Sequence, residues 1–223
     1  MATSSWAAAL AIGALAAGCG SDDSPRQTYD VSEALQTMFS QANAYEAEAT
    51  HDGVVYKLSA RLDRGRLSYS VDPTGPLQIR FATFRDVSIS YEPMPLRVTF
   101  LRNVLFNMYA DADEAQHPVP TAAKIGSQQT LLKGHTFYYS GIPGRNSMRV
   151  DGQGTMSLGW RLEPETDDSA YLCVLLDDRG RNPDDLCYSI APGGQQTGRF
   201  KAVVEVPVGF DQDVRLEFTQ TRS

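Results

Sequence analysis

The sequence has few of the residues and motifs that mark most enzymes and nucleic-acid-binding proteins. Its three histidines, His51, His117 and His135, are isolated from one another. No HExxH, GxSxG or paired metal-ligand spacing occurs. Lys and Arg form no basic stripe, and the formal net charge is −7. Because nucleic acids and anionic headgroups repel an acidic protein, we exclude both as partners of its surface.

Apolar runs long enough to cross a bilayer are also absent. The longest run, residues 6–17, consists mainly of Ala and Leu, and a span of the bilayer core needs roughly 20 apolar residues. Its length is typical of the apolar region of an export signal. The run leads into Leu15-Ala16-Ala17-Gly18-Cys19, and the chain turns polar from Ser21.

The five residues ending at Cys19 resemble the lipobox of bacterial lipoproteins. The resemblance implies that residues 1–18 are a signal peptide, that the chain is cut before Cys19, and that Cys19 carries the lipid. The alternatives are an ordinary secretory signal and a misassigned start codon. In the lipoprotein family an acid directly after the Cys retains the protein at the inner membrane. Here the first acid is Asp22, so the resemblance implies the bacterial outer membrane, on either its periplasmic or its surface side.

The three cysteines are an odd number, which in an exported protein calls for an explanation. If Cys19 is lipidated, Cys173 and Cys187 remain as a pair. They flank a polar tip and adjoin apolar strand segments. We therefore predict a disulfide that clamps a hairpin, with Cα atoms about 4.4–6.8 Å apart.

Most of the chain from Gly53 alternates between apolar and polar residues. This pattern predicts strands with one buried and one solvated face, as in antiparallel sheets. The alternating segments are 54–62, 67–71, 77–81, 87–91, 96–100, 156–162, 200–206 and 214–218. The fold class we predict is an all-β antiparallel β-sandwich with one short N-terminal helix.

The helix is indicated by apolar residues at helical spacing, and Asp30 followed by Glu33 resembles a capping box. A strand is the alternative for the same segment. The spaced residues are Val31, Leu35, Met38, Phe39, Ala42 and Tyr45.

The domain organisation follows from composition. Residues 19–28 are polar and predict a flexible tether, and residues 29–223 predict the β-sandwich domain. Residues 110–127 interrupt the alternation and mark a possible division into two domains. Residues 148–221 resemble the closing strands of jelly-roll sandwiches in carbohydrate-binding and adhesion modules, which implies a jelly-roll-like arrangement.

The residues of the last two predicted strands, 200–206 and 214–218, favour one pairing register. Glu205 opposite Arg215, with Val206 opposite Val214, pairs opposite charges and aligns the apolar faces. The other register would put Glu205 opposite Glu217. Pro207 has no N–H for a ladder, so it should lie at a sheet edge or at a bulge.

Two groups of residues are weak candidates for ligand sites. Oxygen ligands that could hold Ca²⁺ cluster between the two cysteines, but the spacing is not that of an EF-hand and a solvated turn is the interpretation we favour, so we expect no metal. Tyr138 and Tyr139 precede a Gly-Pro loop and could stack on a sugar, but the interpretation we favour is a strand with one ring in the core and one on the surface. The calcium candidates are Asp177, Asp178, Asn182, Asp184 and Asp185.

The function that we expect is non-enzymatic: a binding, adhesion or scaffold role in the envelope. The expected partners are the membrane, through the N-terminal lipid, and an envelope glycan or protein. The alternative is a carbohydrate-active hydrolase, which needs two carboxylates about 5–10 Å apart. The pairs that could supply them are Glu163 with Glu165 and Glu205 with Glu217.

Overall fold

The computed structural model describes residues 27–63, 66–74, 83–90, 97–102, 107–113, 118–140, 149–177, 183–209 and 212–220. The signal segment with Cys19, the segment 77–81, and the tip residues Asp178 and Asn182 lie outside the described residues. Among the described ranges there is one helix, and twelve strands form a single antiparallel sheet. These elements are α1 Val31–Ser40, β1 Asn43–His51, β2 Val54–Asp63, β3 Arg66–Thr74, β4 Thr83–Ser90, β5 Arg97–Arg102, β6 Asn107–Asp113, β7 Gln128–Ser140, β8 Arg149–Thr166, β9 Ser169–Asp177, β10 Asp184–Ile190, β11 Gln196–Gly209 and β12 Gln212–Gln220.

The sheet curves until distant strands face each other across one core. Its order is β5-β4-β3-β2-β1-β12-β11-β10-β9-β8-β7-β6, and the end strands β5 and β6 are in contact. The hydroxyl of Tyr69 on β3 donates a buried hydrogen bond to Asp184 on β10, although four strands separate them in the sheet order. Side chains from β1–β3, β8–β12 and the helix share this core.

The all-β antiparallel class and the single short helix are confirmed. The jelly-roll detail is not. Every consecutive pair of strands is adjacent in the sheet except β5 and β6, which are its two end strands, and β1 pairs with β12. A jelly roll requires Greek-key connections between strands that are not consecutive. Alternation in a sequence fixes which residues of a strand face inward, but it carries no information about which strand lies beside it.

The helix begins where the sequence predicts and ends earlier. Asp30 caps it, and its side chain accepts a 2.9 Å hydrogen bond from the Glu33 N–H. The helix ends at Ser40, so Ala42 and Tyr45 were assigned wrongly to it: Tyr45 lies in β1, buried beside Phe200. Helical and strand periods coincide over such short intervals, and the pairing of β1 with β2 and β12 decides between them.

Gly194 allows the helix to pack on the loop between β10 and β11. Its φ is +86°, and a Cβ there would lie 2.8 Å from both the Ala34 nitrogen and the Asp30 oxygen. The Asp30 N–H also donates to the Pro192 oxygen of the same loop at 2.8 Å. A residue with a side chain at position 194 would therefore push the helix away from the sheet.

The register predicted for the last two strands is confirmed. Glu205 pairs with Arg215 and Val206 with Val214, and the ladder shifts between Pro207 and Gly209. The irregularity directly follows Pro207, which has no N–H to donate to the ladder. Part of the interruption predicted at 110–127 is also strand, because residues 110–113 belong to β6.

Candidate functional site

The strand β10 is buried on both of its faces. All seven of its residues are buried. Leu186 and Tyr188 face the core, whereas Asp185, Cys187 and Ser189 point to the outward side of the sheet, where a solvated face is expected. Side chains from the neighbouring strands must therefore cover β10 from outside.

The disulfide lies at the centre of this covered face. Cys173 of β9 and Cys187 of β10 are bonded and stand directly opposite each other in the ladder. The predicted disulfide between adjacent antiparallel strands is thus present. Its Cα–Cα distance is 3.8 Å, shorter than the range we expected. Both residues are at most 1% exposed.

Five charged side chains from four strands, here called the charged cover, lie over this face. Glu163 accepts from Lys201 Nζ at 2.7 Å and from Arg161 at 2.5 and 2.9 Å. Asp185 Oδ2 accepts from Arg161 at 3.2 Å and from Arg215 at 3.0 Å. Lys201 also lies 4.6 Å from the centre of the Tyr171 ring. The charged cover consists of Arg161, Glu163, Asp185, Lys201 and Arg215.

The register explains why the charged cover closes over the disulfide. Arg161, Cys173, Cys187 and Lys201 occupy one row across β8, β9, β10 and β11. The two long cationic side chains therefore flank the two short cysteines. Glu163, two residues further along β8, bridges them above the sulfurs.

The two acids of the charged cover respond differently to their surroundings. Burial alone would raise the pKa of Glu163, but the hydrogen bonds and charges of Lys201 and Arg161 outweigh it and hold the pKa below its ordinary value. Burial raises the pKa of Asp185, and the nearby Arg161 and Arg215 offset this only in part. Asp185 Oδ1 is also buried, and it has no hydrogen-bond partner among the described residues.

A second polar group adjoins the charged cover along β8, β10 and β11. Glu165 pairs with Arg199 at 2.9 Å and accepts a hydrogen bond from Ser189, which in turn accepts from Thr197. Glu165 is 5% exposed, and Ser189 is fully buried. This chain of hydroxyls satisfies one oxygen, Oε2, of a buried carboxylate, and the burial of Ser189 leaves that hydroxyl inaccessible to a substrate.

The described residues offer one cluster with metal-ligand atoms, and its chemistry does not suit a metal ion. Oxygen of Glu163 and the sulfurs of Cys173 and Cys187 lie within 4.8 Å of one another. Because the sulfurs are bonded to each other, they offer no thiolate, which is the form that binds metal. The adjacent Arg161 and Lys201 would also repel a cation.

The calcium candidates that the structure describes are not brought together. Asp184 faces the core and accepts from Tyr69 and from the Glu205 N–H, whereas Asp185 points outward to two arginines. Two carboxylates on opposite faces of a strand cannot hold one ion. Asp177 ends β9, and its backbone pairs with Ser157.

The other predicted candidates are placed as follows. Tyr138 and Tyr139 lie in β7 at a ladder irregularity, and their side chains are outside the described part. Glu205 stands opposite Arg215, and Glu217 stands opposite Val203. Glu163 and Glu165 are each bound to cations and are therefore not free to act jointly.

A different surface is open on the outward side of β1, β2 and β3. A depression of about 300 Å³, here called the trough, crosses these three strands. Its floor is the row Tyr45, Ala60 and Tyr69, whose side chains are buried in the core. The outward residues that line it are Ala44, Glu46, Ser59, Arg61, Ser68 and Ser70.

The sequence contains a partial signal for both surfaces. Alternation marks Lys201 and Arg215 as outward on β11 and β12, and Ser59, Ser68 and Ser70 as outward on β2 and β3. It does not show that Arg161 and Lys201 share a row with the disulfide, since that depends on the registers of three strand pairs. The charged cover and the trough were for this reason not predicted.

No protein family, curated protein or solved structure matches this chain. Within the described ranges, the structure has no helix whose length and apolar character would let it pass through a membrane.

Proposed function

We propose that the chain is a lipid-anchored protein of the bacterial cell envelope whose β domain has a binding, adhesion or scaffold role. The anchor rests on the apolar run 6–17 and on the resemblance of the five residues ending at Cys19 to a lipobox. The Cys173–Cys187 disulfide supports export, because disulfides persist in oxidising compartments. The outer membrane is the proposed location, and an envelope glycan or protein is the proposed partner.

The observation that carries the non-enzymatic role is the state of Glu163. A glycosidase needs a general acid whose pKa is raised, beside a second, ionised carboxylate. Lys201 and Arg161 instead hold the pKa of Glu163 low, and Arg199 binds Glu165. In the described part of the chain, the acids nominated for hydrolysis on β8 are thus engaged in holding the sheet together.

A hydrolase is the second candidate, and one observation favours it. Asp185 has a raised pKa beside Glu163, whose pKa is lowered, and Arg161 contacts both. Divergent pKa values of neighbouring carboxyls are typical of acid–base pairs. Against this, the Asp185 side chain is 6% exposed and one oxygen accepts from two arginines, so a glycosidic oxygen has no approach to it.

We also propose that the curved sheet is a sandwich, with β3 packed across from β10. The buried contact between Tyr69 and Asp184 supports this arrangement. The side chains that line the shared core come from both halves of the sheet.

Two experiments test the proposed function. Metabolic labelling with a fatty-acid analogue should mark the wild type and not Cys19→Ala, and the variant should leave the membrane fraction. Equal labelling of both proteins would disprove the anchor. Chromogenic glycosides should not be turned over by the full chain. Turnover that Asp185→Asn abolishes would replace the binding role with the hydrolase.

A further inference from the structure

The trough is open because the residues at its centre are small. Ala44, Ser59, Ser68 and Ser70 stand on the outward side of β1, β2 and β3, and among the outward lining residues only Arg61 and Glu46 are long. Its volume of about 300 Å³ lies at the lower end of ligand pockets, which span about 300–1,000 Å³.

Arg61 and Glu46 are diagonal neighbours that do not pair. Arg61 stands opposite Ala44, and Glu46 stands opposite Ser59, so their Cα atoms are about 7–8 Å apart. An ion pair across such a diagonal is within reach of both side chains. Yet both are exposed, and neither forms an ion pair or hydrogen bond with any residue whose side chain the structure describes. Both charges are thus available to a ligand.

The lining favours a ligand that carries both signs of charge. A guanidinium binds a carboxylate through a fork of two donors, and a carboxylate accepts from an ammonium. The hydroxyls of Ser59, Ser68 and Ser70 both donate and accept, which suits the N–H and C=O of an amide between two charged ends. Among the described residues that line the trough, none of the outward ones is aromatic, so they offer the apolar face of a sugar no ring to stack on.

We propose that the trough binds a small zwitterion, an amino acid or short peptide with free termini, with its carboxylate at Arg61 and its ammonium at Glu46. This deepens the binding role proposed above and rests on it. The trough lies on β1–β3, whereas the charged cover lies on β8–β12.

The test is a titration of the full-length protein, in detergent micelles, with L-alanyl-L-alanine. Calorimetry or ligand-observed NMR should show saturable binding with a Kd of about 1 mM or tighter. The same dipeptide with an acetylated N-terminus and an amidated C-terminus should bind at least about tenfold more weakly, because it lacks both charges. Cellobiose should not compete.

Variants then locate the site. Arg61→Gln and Glu46→Gln should each weaken binding by about tenfold or more, and Ser59→Leu should abolish it by filling the trough. Lys57→Gln, on the same face but outside the trough, is the matched control and should bind like the wild type. If a variant folds poorly, the comparison of the free and capped dipeptides on the wild-type protein still tests the proposal.

Three results would overturn the inference. These are equal binding of the capped and free dipeptides, saturable binding of cellobiose in place of the dipeptide, and no saturable binding of either. Any of these results would disprove the zwitterion site in the trough. The proposed function would still stand if the chain is lipidated at Cys19 and binds envelope material.

Discussion

The strands β8, β11 and β12 contain the same alternating sequence pattern as β2 and β3, yet the outward face of β8–β12 is closed and that of β1–β3 is open. Over β8–β12, long charged side chains meet above two short cysteines, and Asp185 and Glu165 are only 6% and 5% exposed. Over β1–β3, serines and an alanine stand where long side chains would have to meet. The difference teaches that alternation assigns a residue to a face, whereas the sizes of its neighbours in the row decide whether that face is covered.

The largest expected effect is at the disulfide of the closed face. Replacing both Cys173 and Cys187 with Ala removes a link that closes a loop of sequence separation 14, which the chain-entropy model values at about 3 kcal/mol. Urea unfolding followed by the fluorescence of the buried Trp160 measures this loss. Thiol reduction of the wild type is the control and should give a similar loss. A loss below about 1 kcal/mol would mean that the charged cover holds the face closed without the bond.

The next effect tests whether the two halves of the sheet stabilise each other. Tyr69→Phe removes the hydroxyl that donates to the buried Asp184 across the core. Leaving a buried carboxylate short of a donor costs about 1–3 kcal/mol. Tyr56→Phe is the matched control, since Tyr56 is also buried but its hydroxyl has no bond to any described residue. Equal unfolding free energies for the two variants would contradict a coupling through Asp184.

A smaller effect, dependent on pH, separates Glu163 from an ordinary surface acid. Its folded pKa lies below the ordinary value of 4.5, so its stabilisation is present above that value and is lost as the pH falls through the folded pKa. At pH 6, Glu163→Gln should cost about 1 kcal/mol, reduced because the side chain is 25% exposed. The difference in stability between the two proteins should shrink as the pH falls below 4.5.

Two comparisons sharpen that experiment. The exposed Glu217, whose strand neighbour is Val203, supplies the control variant Glu217→Gln. The raised pKa of Asp185 acts in the opposite direction, because folding then favours the protonated acid. Only the difference between wild type and Glu163→Gln therefore reports on Glu163. A constant difference from pH 6 to pH 3 would show that Lys201 and Arg161 do not hold Glu163 ionised.

The sequence predicted those parts of the fold that depend on one strand and its chain neighbour. The Asp30 cap, the Glu205–Arg215 register and the irregularity after Pro207 all follow from local residues. The disulfide was predicted because an odd cysteine count left one pair. Each of these depends on interactions between residues close in the chain.

The rest could not be predicted because it depends on contacts between distant strands. Tyr45 was assigned to the helix since its spacing fits one, and its burial against Phe200 and Tyr188 is a tertiary contact. Asp184 and Asp185 were grouped as ligands since they are adjacent in sequence, yet adjacent strand residues point to opposite faces. The strand order likewise depends on pairings between strands that are far apart in the sequence, such as β1 with β12.

The smallest expected effect compares one substitution on the two faces. Lys57 on the open face lies 3.4 Å from Glu48, and the two side chains are 59% and 39% exposed. An exposed pair of this kind contributes about 0–0.5 kcal/mol and is screened by salt. Lys201 lies 2.7 Å from Glu163, is 23% exposed, and also packs over the Tyr171 ring.

Lys57→Gln should therefore leave the urea midpoint almost unchanged, whereas Lys201→Gln should lower it measurably. Adding 0.5 M NaCl should reduce the small effect of Lys57→Gln and leave the effect of Lys201→Gln unchanged. If both variants lost the same stability, the closed face would be no more than a solvated surface, and the contrast between the two halves of the sheet would not hold.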